Sequence, residues 1–449
     1  MGMRPLVSFI EERLMRLTTS LLTLLLGSLS LPLLAATSVS RVDADHYQHI
    51  RCGQLLDVIN EKTLENQDIL VRGSVIEAIG PALEVPAGAT RIDLSDRVCM
   101  PGLMDMHVHL FTQTSKGSIE MLGTTQSSAF NALQGIRFVQ ELLHNGFTTI
   151  RSPGDFDFAY ANIEIRNAIN RGEFAGPRFL VAPHYISAQG GHGDFNAFAP
   201  DGPQIHAPMI ADGVDALRSA VRKEIKYGAD WIKVMASGGV MSQHDDPEVA
   251  GFSDEEFRVL AEETHRHKKK ITAHAIGDAG VYAAVDAGFD SIEHATMMSE
   301  RTAKLMAKKG TYYVPTLYVV DWILDMGATG GISAGNLAKA KHVAVQHENS
   351  VQLAYKYKVP MVIGSDCIFP MNEAIREFTS MAKRLGDNWY VMRAGTIHPA
   401  GMLGLEDEIG SLEVGKQADI VATAANPIDD MANIETVNFV MKGGELIRQ

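Results

Sequence analysis

Two apolar patterns divide the chain. In the middle, near-continuous apolar runs alternate with helical periodicity. Runs at 99–107, 147–151, 178–183, 231–236, 271–275, 290–294, 312–317 and 360–365 read as strands. Unbroken apolar character is expected of parallel strands covered on both faces. Between them, Ser253-Asp-Glu-Glu256 has the form of a capping box, with Phe257, Leu260 and Ala261 on one helical face. Ser299 reads as the cap of another helix, which Gly310 ends. Toward the two ends the pattern shortens. Gln67–Arg72 and Ser74–Ile79, split by Gly73, predict a strand pair, and Pro81, Pro86 and Gly88 mark turns. Ala418–Ala422 and Val437–Met441 predict short strands, with turns at Asn426-Pro427 and Gly443-Gly444.

Strands alternating with helices predict an α/β fold: a (β/α)8 TIM-like barrel over 99–399. The β-rich ends, 43–98 and 400–449, are expected to combine into a small β-sandwich domain. A doubly wound open sheet is the alternative, but no Gly-x-Gly-x-x-Gly follows the first strand, which counts against dinucleotide binding. The glycine-rich stretch 327–335 reads as a mobile loop over the site or as a plain surface loop.

The start of the chain has a different character. Leu21–Leu34 is apolar but interrupted by Gly27, Ser28, Ser30 and Pro32, too short and broken for a comfortable membrane span. Ala35-Ala36-Thr37-Ser38 follows as a small-residue cleavage region, so 1–38 reads as a signal peptide. Glu11 and Glu12 fit poorly in a basic leader, and Met15-Arg16 would begin a cleaner one. An uncleaved anchor helix is the alternative. The leader implies an exported protein, periplasmic or secreted, with no stable membrane span after processing.

A net charge of −14 argues against nucleic acid or an anionic membrane as partner. Export implies an oxidising compartment, yet Cys52, Cys99 and Cys367 form no disulfide framework. Cys99 and Cys367 sit in apolar runs and read as small buried core residues.

Chemistry in such a barrel sits at the C-terminal ends of the strands. The first strand ends in His107-Val-His109, whose imidazoles point to one side and can meet one metal ion. Taken alone, such a pair is equally two polar residues at a strand–loop junction. Further along, Lys233 lies inside an apolar run, His274 and His294 close the fifth and sixth strands, and Asp366 closes the eighth. Each has a bland reading: satisfied polar groups for the histidines, a helix cap for Asp366, an ion pair for Lys233. A lysine in a buried strand is costly unless paired or neutral. A neutral amine reacts with carbon dioxide to give a carbamate, whose two oxygens can bridge two divalent cations. That accounts for a lysine among histidines, where an ammonium would repel metal.

With these residues the chain resembles the amidohydrolase superfamily. It is most similar to the binuclear branch with a carboxylated lysine, which includes Xaa-Pro dipeptidases, related carboxypeptidases and ochratoxin-type amidohydrolases. The likeness covers about residues 45–445. It is carried by Pro101-Gly-Leu-Met-Asp-Met-His-Val-His109, Lys233-Val-Met-Ala-Ser-Gly-Gly239, Ala273-His274, Ile292-Glu-His294, Gly364-Ser-Asp366 and the closing stretch Gly410–Ile420. The resemblance implies that His107, His109 and Asp366 bind an inner metal. His274 and His294 would bind a second, and carboxylated Lys233 would bridge both. Imidazole and carboxylate ligands suit zinc, with manganese or cobalt as alternatives.

The implied reaction is hydrolysis of a small-molecule amide, with Asp366 as both ligand and proton shuttle. His192, in a Gly-Gly-His loop like the family's, is the candidate for a substrate carboxylate, and His244 a weaker one. Each also reads as a loop-stabilising residue. Two departures bear on substrate: Ile276 stands where some relatives have a second His, and no Tyr lies between Lys233 and His274. The expected activity is that of an amidase or carboxypeptidase on dipeptides or N-acyl amino acids. A lactonase or other ester hydrolase, and a metal-binding protein without turnover, are the alternatives. Relatives often form homo-oligomers, so one is expected here.

Overall fold

The computed structural model describes residues 42–112, 125–194, 201, 209–242 and 245–449. The proposed leader over 1–38, the alternative start at Met15, and His244 lie outside the described residues.

Both chain ends enter one seven-stranded sheet. Its strands are β1 (Tyr47–Asp57), β2 (Lys62–Arg72), β3 (Val75–Gly80), β4 (Thr90–Pro101), β13 (Ile420–Thr423), β14 (Val437–Lys442) and β15 (Glu445–Arg448), in the order β15-β14-β13-β4-β1-β2-β3. The expected sandwich does not appear as two separate sheets; the β3 edge bonds back to the segment before β13, Ile76 N to Lys416 O at 2.9 Å and Ala418 N to Ser74 O at 2.8 Å. Alternation along the sheet's central strands serves two cores. Val98, Met100 and Val421 face the main core, while Cys99, Ile420 and Ala422 join a smaller one with Ile50, Ile92 and Phe439. Cys99 is buried as expected but is not a lone thiol: it is disulfide-bonded to Cys52, joining β4 to β1. Cys367 is buried and free.

The middle of the chain forms two parallel sheets. One contains β5 (Leu103–Asp105), β6 (Phe147–Pro153) and β7 (Arg178–Ala182); the other runs β12-β11-β10-β9-β8. These five are β8 (Tyr185–Ile186), β9 (Trp231–Met235), β10 (Lys270–Gly277), β11 (Ser291–Met297) and β12 (Tyr312–Val314). Backbone bonds continue between the sheets. Asp230 N donates to Val181 O, Val362 N to Tyr313 O, and Met106 N to Ile363 O. Helices between the strands cover the outside, and Ser253 caps Asp254–Arg266 in a complete capping box. Ser299 and Gly310 bound Glu300–Lys309 as predicted.

Three expected strands differ. The run 99–107 is split at Gly102, where the chain leaves β4 for β5. A Cβ there would lie 2.2 Å from Thr148 Oγ1, so only glycine permits the switch. The run 312–317 stops at Val314, because Pro315 has no N–H and Thr316 turns to a left-handed φ of 53°. The run 360–365 is bonded on both sides but contributes only one bridge, Tyr313 to Met361. The stretch 327–335 holds a 3-10 turn at Gly327–Gly330, with Gly330 beside Trp322, and leads to Ser333, the cap of Ala334–Lys356. Among the described residues, no helix is long and apolar enough to cross a membrane.

Candidate metal centre

The predicted strand ends converge. His107 and His109 lie just past β5, Lys233 within β9, His274 in β10, His294 in β11, and Asp366 after the bonded 361–363 segment. All six line one cavity of about 1240 Å³, a space that includes its open mouth. The Nε2 atoms of His107 and His109 are 3.1 Å apart, and Asp366 Oδ1 is 3.5 and 3.2 Å from them. The rings of His107 and His274 lie 5.1 and 4.6 Å from that of His294, centroid to centroid.

Hydrogen bonds on the far side of each ring set its tautomer. His109 Nδ1 is 2.7 Å from the Gly154 carbonyl, which can only accept, so Nδ1 carries the proton. His107 Nδ1 is 2.7 Å from Glu293 Oε2, and that carboxylate is held by Arg151 Nη2 at 2.5 Å and by the Thr272 hydroxyl. His274 Nε2 faces the Gly238 carbonyl at 3.3 Å, leaving Nδ1 as its lone pair. His294 Nδ1 donates to Thr316 Oγ1 at 2.7 Å, because the Thr316 proton goes to Pro315 O. In neutral form, His107 and His109 therefore point two lone pairs and a carboxylate at one spot. That arrangement is repulsive unless a cation sits among them, and it fits a metal. Burial pushes His107, His274 and His294 well below the ordinary imidazole range, which favours the neutral, ligating form. For His109 burial also pulls down, but Asp366 outweighs it and the net direction is up. Burial would raise Asp366; the His107 and His109 imidazoles hold it at about 2 instead.

Lys233 is 2% exposed. Burial pushes its ammonium down to about 8, against the pull of Glu293 and Asp366. The amine is thus accessible in neutral form near physiological pH. Backbone strain clusters here as well: His294 has φ 70°, Ala295 37°, Thr316 53° and Asp366 51°. The left-handed turns at His294, Thr316 and Asp366 place side chains along the cavity.

Of the two substrate-binding candidates, His192 lines the cavity and stacks on His274 at 4.3 Å. Its Nδ1 is 2.7 Å from Ser242 Oγ and 3.5 Å from Asp245, and Lys339 holds Asp245 at 3.0 Å. Gly239 makes the room: a Cβ there would lie 2.3 Å from the His192 ring.

Residues 98–447 match the amidohydrolase family. The chain belongs to that family. It is 32% identical to the ochratoxinase of Aspergillus niger over 408 residues, 86% of this chain and 83% of that protein. A Xaa-Pro dipeptidase solved with methionine in its active site superposes with a TM-score of 0.84 at 30% identity, over 90% of this chain and all of that one. The crystal structure of A. niger ochratoxinase gives 0.78 at 31%, over 90% and 96%. The fold of this amidohydrolase is thus of the TIM-barrel type its neighbours share, and its reaction class is hydrolysis of amide C–N bonds. The family is in general metal-dependent, and the ligand atoms of His107, His109 and Asp366 lie within 4.8 Å of one another.

The motif reading missed the residues behind the ligands. Glu293, Arg151 and Asp155 are all buried. Asp155 accepts from the Leu110 and Phe111 amides, fixing the turn after His109. A signal was present: Arg151 and Glu293 are charges inside apolar strands, as costly as Lys233 unless paired.

Proposed function

We propose that this chain is an exported binuclear amidase acting on dipeptides or N-acyl amino acids, ochratoxin-type amides included. The observation that carries it is the convergence on one cavity of four imidazoles, three of them pushed toward the neutral form by burial, with Asp366 and a buried lysine of lowered basicity. In this reading the parallel strands close as a (β/α)8 barrel and the seven-stranded sheet forms its companion β-domain. His107, His109 and Asp366 would hold one cation, His274 and His294 the other, and Lys233, carboxylated by carbon dioxide, both. Two divalent cations, zinc by ligand type, would polarise the amide carbonyl and acidify a water for attack. Asp366, at the cavity face of the site, takes the proton of the attacking water and passes it to the leaving nitrogen. His192 orients the substrate's carboxylate end. His244 is a second candidate for the same contact, and the protein forms a homo-oligomer in this reading. The Cys52–Cys99 bond supports export, since such bonds persist in oxidising compartments.

The ochratoxinase and Xaa-Pro dipeptidase neighbours favour amides over lactones as substrates. The test is metal-replete mature protein on a panel of N-acyl amino acids, Xaa-Pro dipeptides, ochratoxin-like amides and lactones. Amide cleavage abolished by chelation and restored by zinc is expected. Cleavage of lactones alone would move the assignment to an ester or ring hydrolase. Bound metal without turnover would make the protein a metal-binding one.

A further inference from the structure

The helix Leu317–Met326 begins in an unusual way. Its cap residue, Thr316, has φ 53° and ψ 61°, and its side chain makes no capping hydrogen bond. A threonine at a helix N-cap ordinarily has extended backbone and turns its hydroxyl onto the helix's free amides. Here the Thr316 hydroxyl instead accepts from His294 Nδ1 and donates to Pro315 O, both at 2.7 Å. The orphaned amides have another partner. Glu377, fully buried on the helix Arg376–Leu385, accepts from Leu317 N at 2.9 Å with Oε1 and from Tyr318 N at 2.7 Å with Oε2. A carboxyl group from a distant helix thus does the capping that Thr316 has given up; burial pushes it up to about 8, while the two backbone N–H donors favour its ionised form.

We propose that Glu377 is a positioning residue for His294. It caps the Leu317 helix in place of Thr316, which frees the Thr316 hydroxyl to orient the imidazole. Without that cap, the Tyr318 amide would compete for the hydroxyl, and the natural relaxation of Thr316 is to extended backbone. Either change withdraws the acceptor that keeps the His294 proton on Nδ1. The His294 carbonyl accepts from Tyr313 Oη at 2.7 Å, which restrains the backbone but not the ring, and Asp366 Oδ2, 3.9 Å from Nδ1, lies beyond hydrogen-bond reach. Glu377 makes its hydrogen bonds to backbone amides, not to any of the six candidate ligands.

This inference rests on the binuclear reading, and its test keeps the two apart. Zinc per chain and the affinity of the more weakly held zinc are measured by equilibrium dialysis and elemental analysis. The full-length mature protein is compared with Glu377→Gln, Thr316→Val, the double variant and Thr316→Ser. In Glu377→Gln one acceptor remains and the new amide nitrogen confronts a backbone N–H. The zinc assigned to His274 and His294 has one protein ligand fewer and is the weaker in this reading; it should dissociate at least tenfold more readily, the scale for groups that orient a ligand, while the tighter zinc is kept. Thr316→Val should match it, Thr316→Ser should retain most of the affinity, and the double variant should be no weaker than Thr316→Val. A Glu377→Gln chain that is less heat-stable yet binds both zincs as the parent does overturns the inference. So do losses that multiply in the double variant. Should Glu377→Gln fail to fold, the Thr316 pair decides: equal affinity for Val and Ser overturns it. A parent chain that binds one zinc overturns the binuclear reading and this inference with it; a two-zinc parent with unaffected variants overturns this inference alone.

Discussion

Stripping the metal and refilling the site at controlled pH isolates the role assigned to Lys233. Only the neutral amine can add carbon dioxide, so the rate of carbamate formation follows the neutral fraction. With its pKa lowered to about 8 by burial, about a tenth of Lys233 is neutral at pH 7 and about half at pH 8. A lysine at the ordinary value of about 10.4 is neutral at pH 7 in only a few parts in ten thousand. The buried site therefore gains on the order of a few hundredfold in reactive amine at pH 7, before allowing for its weaker nucleophilicity. The direction is fixed by the sign of the shift: the rate rises about fivefold from pH 7 to 8 and levels off above 9. The assay mixes metal-free protein with zinc and labelled dissolved carbon dioxide at constant concentration. The carbamate carbon is followed by NMR, with Lys233→Ala as the blank. A rate that climbs tenfold per pH unit through pH 10 would mean that burial does not lower this amine. A carbamate signal that survives Lys233→Ala would remove Lys233 from the bridge.

Two further outcomes follow from the buried groups around the site. Arg151→Met takes the guanidinium from buried Glu293 and leaves that side chain to the His107 ring and the Thr272 hydroxyl, which is expected to cost about 3–5 kcal/mol in urea unfolding; a loss under 1 kcal/mol would mean that the Arg151–Glu293 pair does not hold the core there. The Cys52–Cys99 bond closes a loop of sequence separation 47. Its reduction should cost about 4 kcal/mol by the chain-entropy estimate, and an unfolding midpoint indifferent to reductant would exclude that contribution.

How much of this was legible in the sequence depends on where each residue's constraint comes from. The six candidate ligands were legible because each is a polar residue where an apolar strand ends, or, for Lys233, inside one. Strand period and burial are local properties, and a buried charge announces itself by its cost. The helix caps at Ser253 and Ser299 were legible for the same reason: cap and amide lie three residues apart. What failed was long-range. Nothing local distinguishes Cys99 from a core thiol; its partner is 47 residues away and paired by sheet order. The strand expected over 99–107 breaks at Gly102 because Thr148, from β6, leaves no room for a side chain there. The groups that orient the imidazoles are equally remote: Gly154 for His109, Glu293 for His107, Thr316 for His294. Even their tautomers follow from these partners, since an isolated imidazole has no preference strong enough to choose its ligating nitrogen. The candidate ligands are therefore legible in the local sequence, while their geometry belongs to the fold. The same fold strains His294, Thr316 and Asp366 into left-handed turns that no propensity would favour. A substitution at a ligand should thus remove a metal outright, whereas one at Glu293 or Thr316 should leave the donor in place and misdirect it.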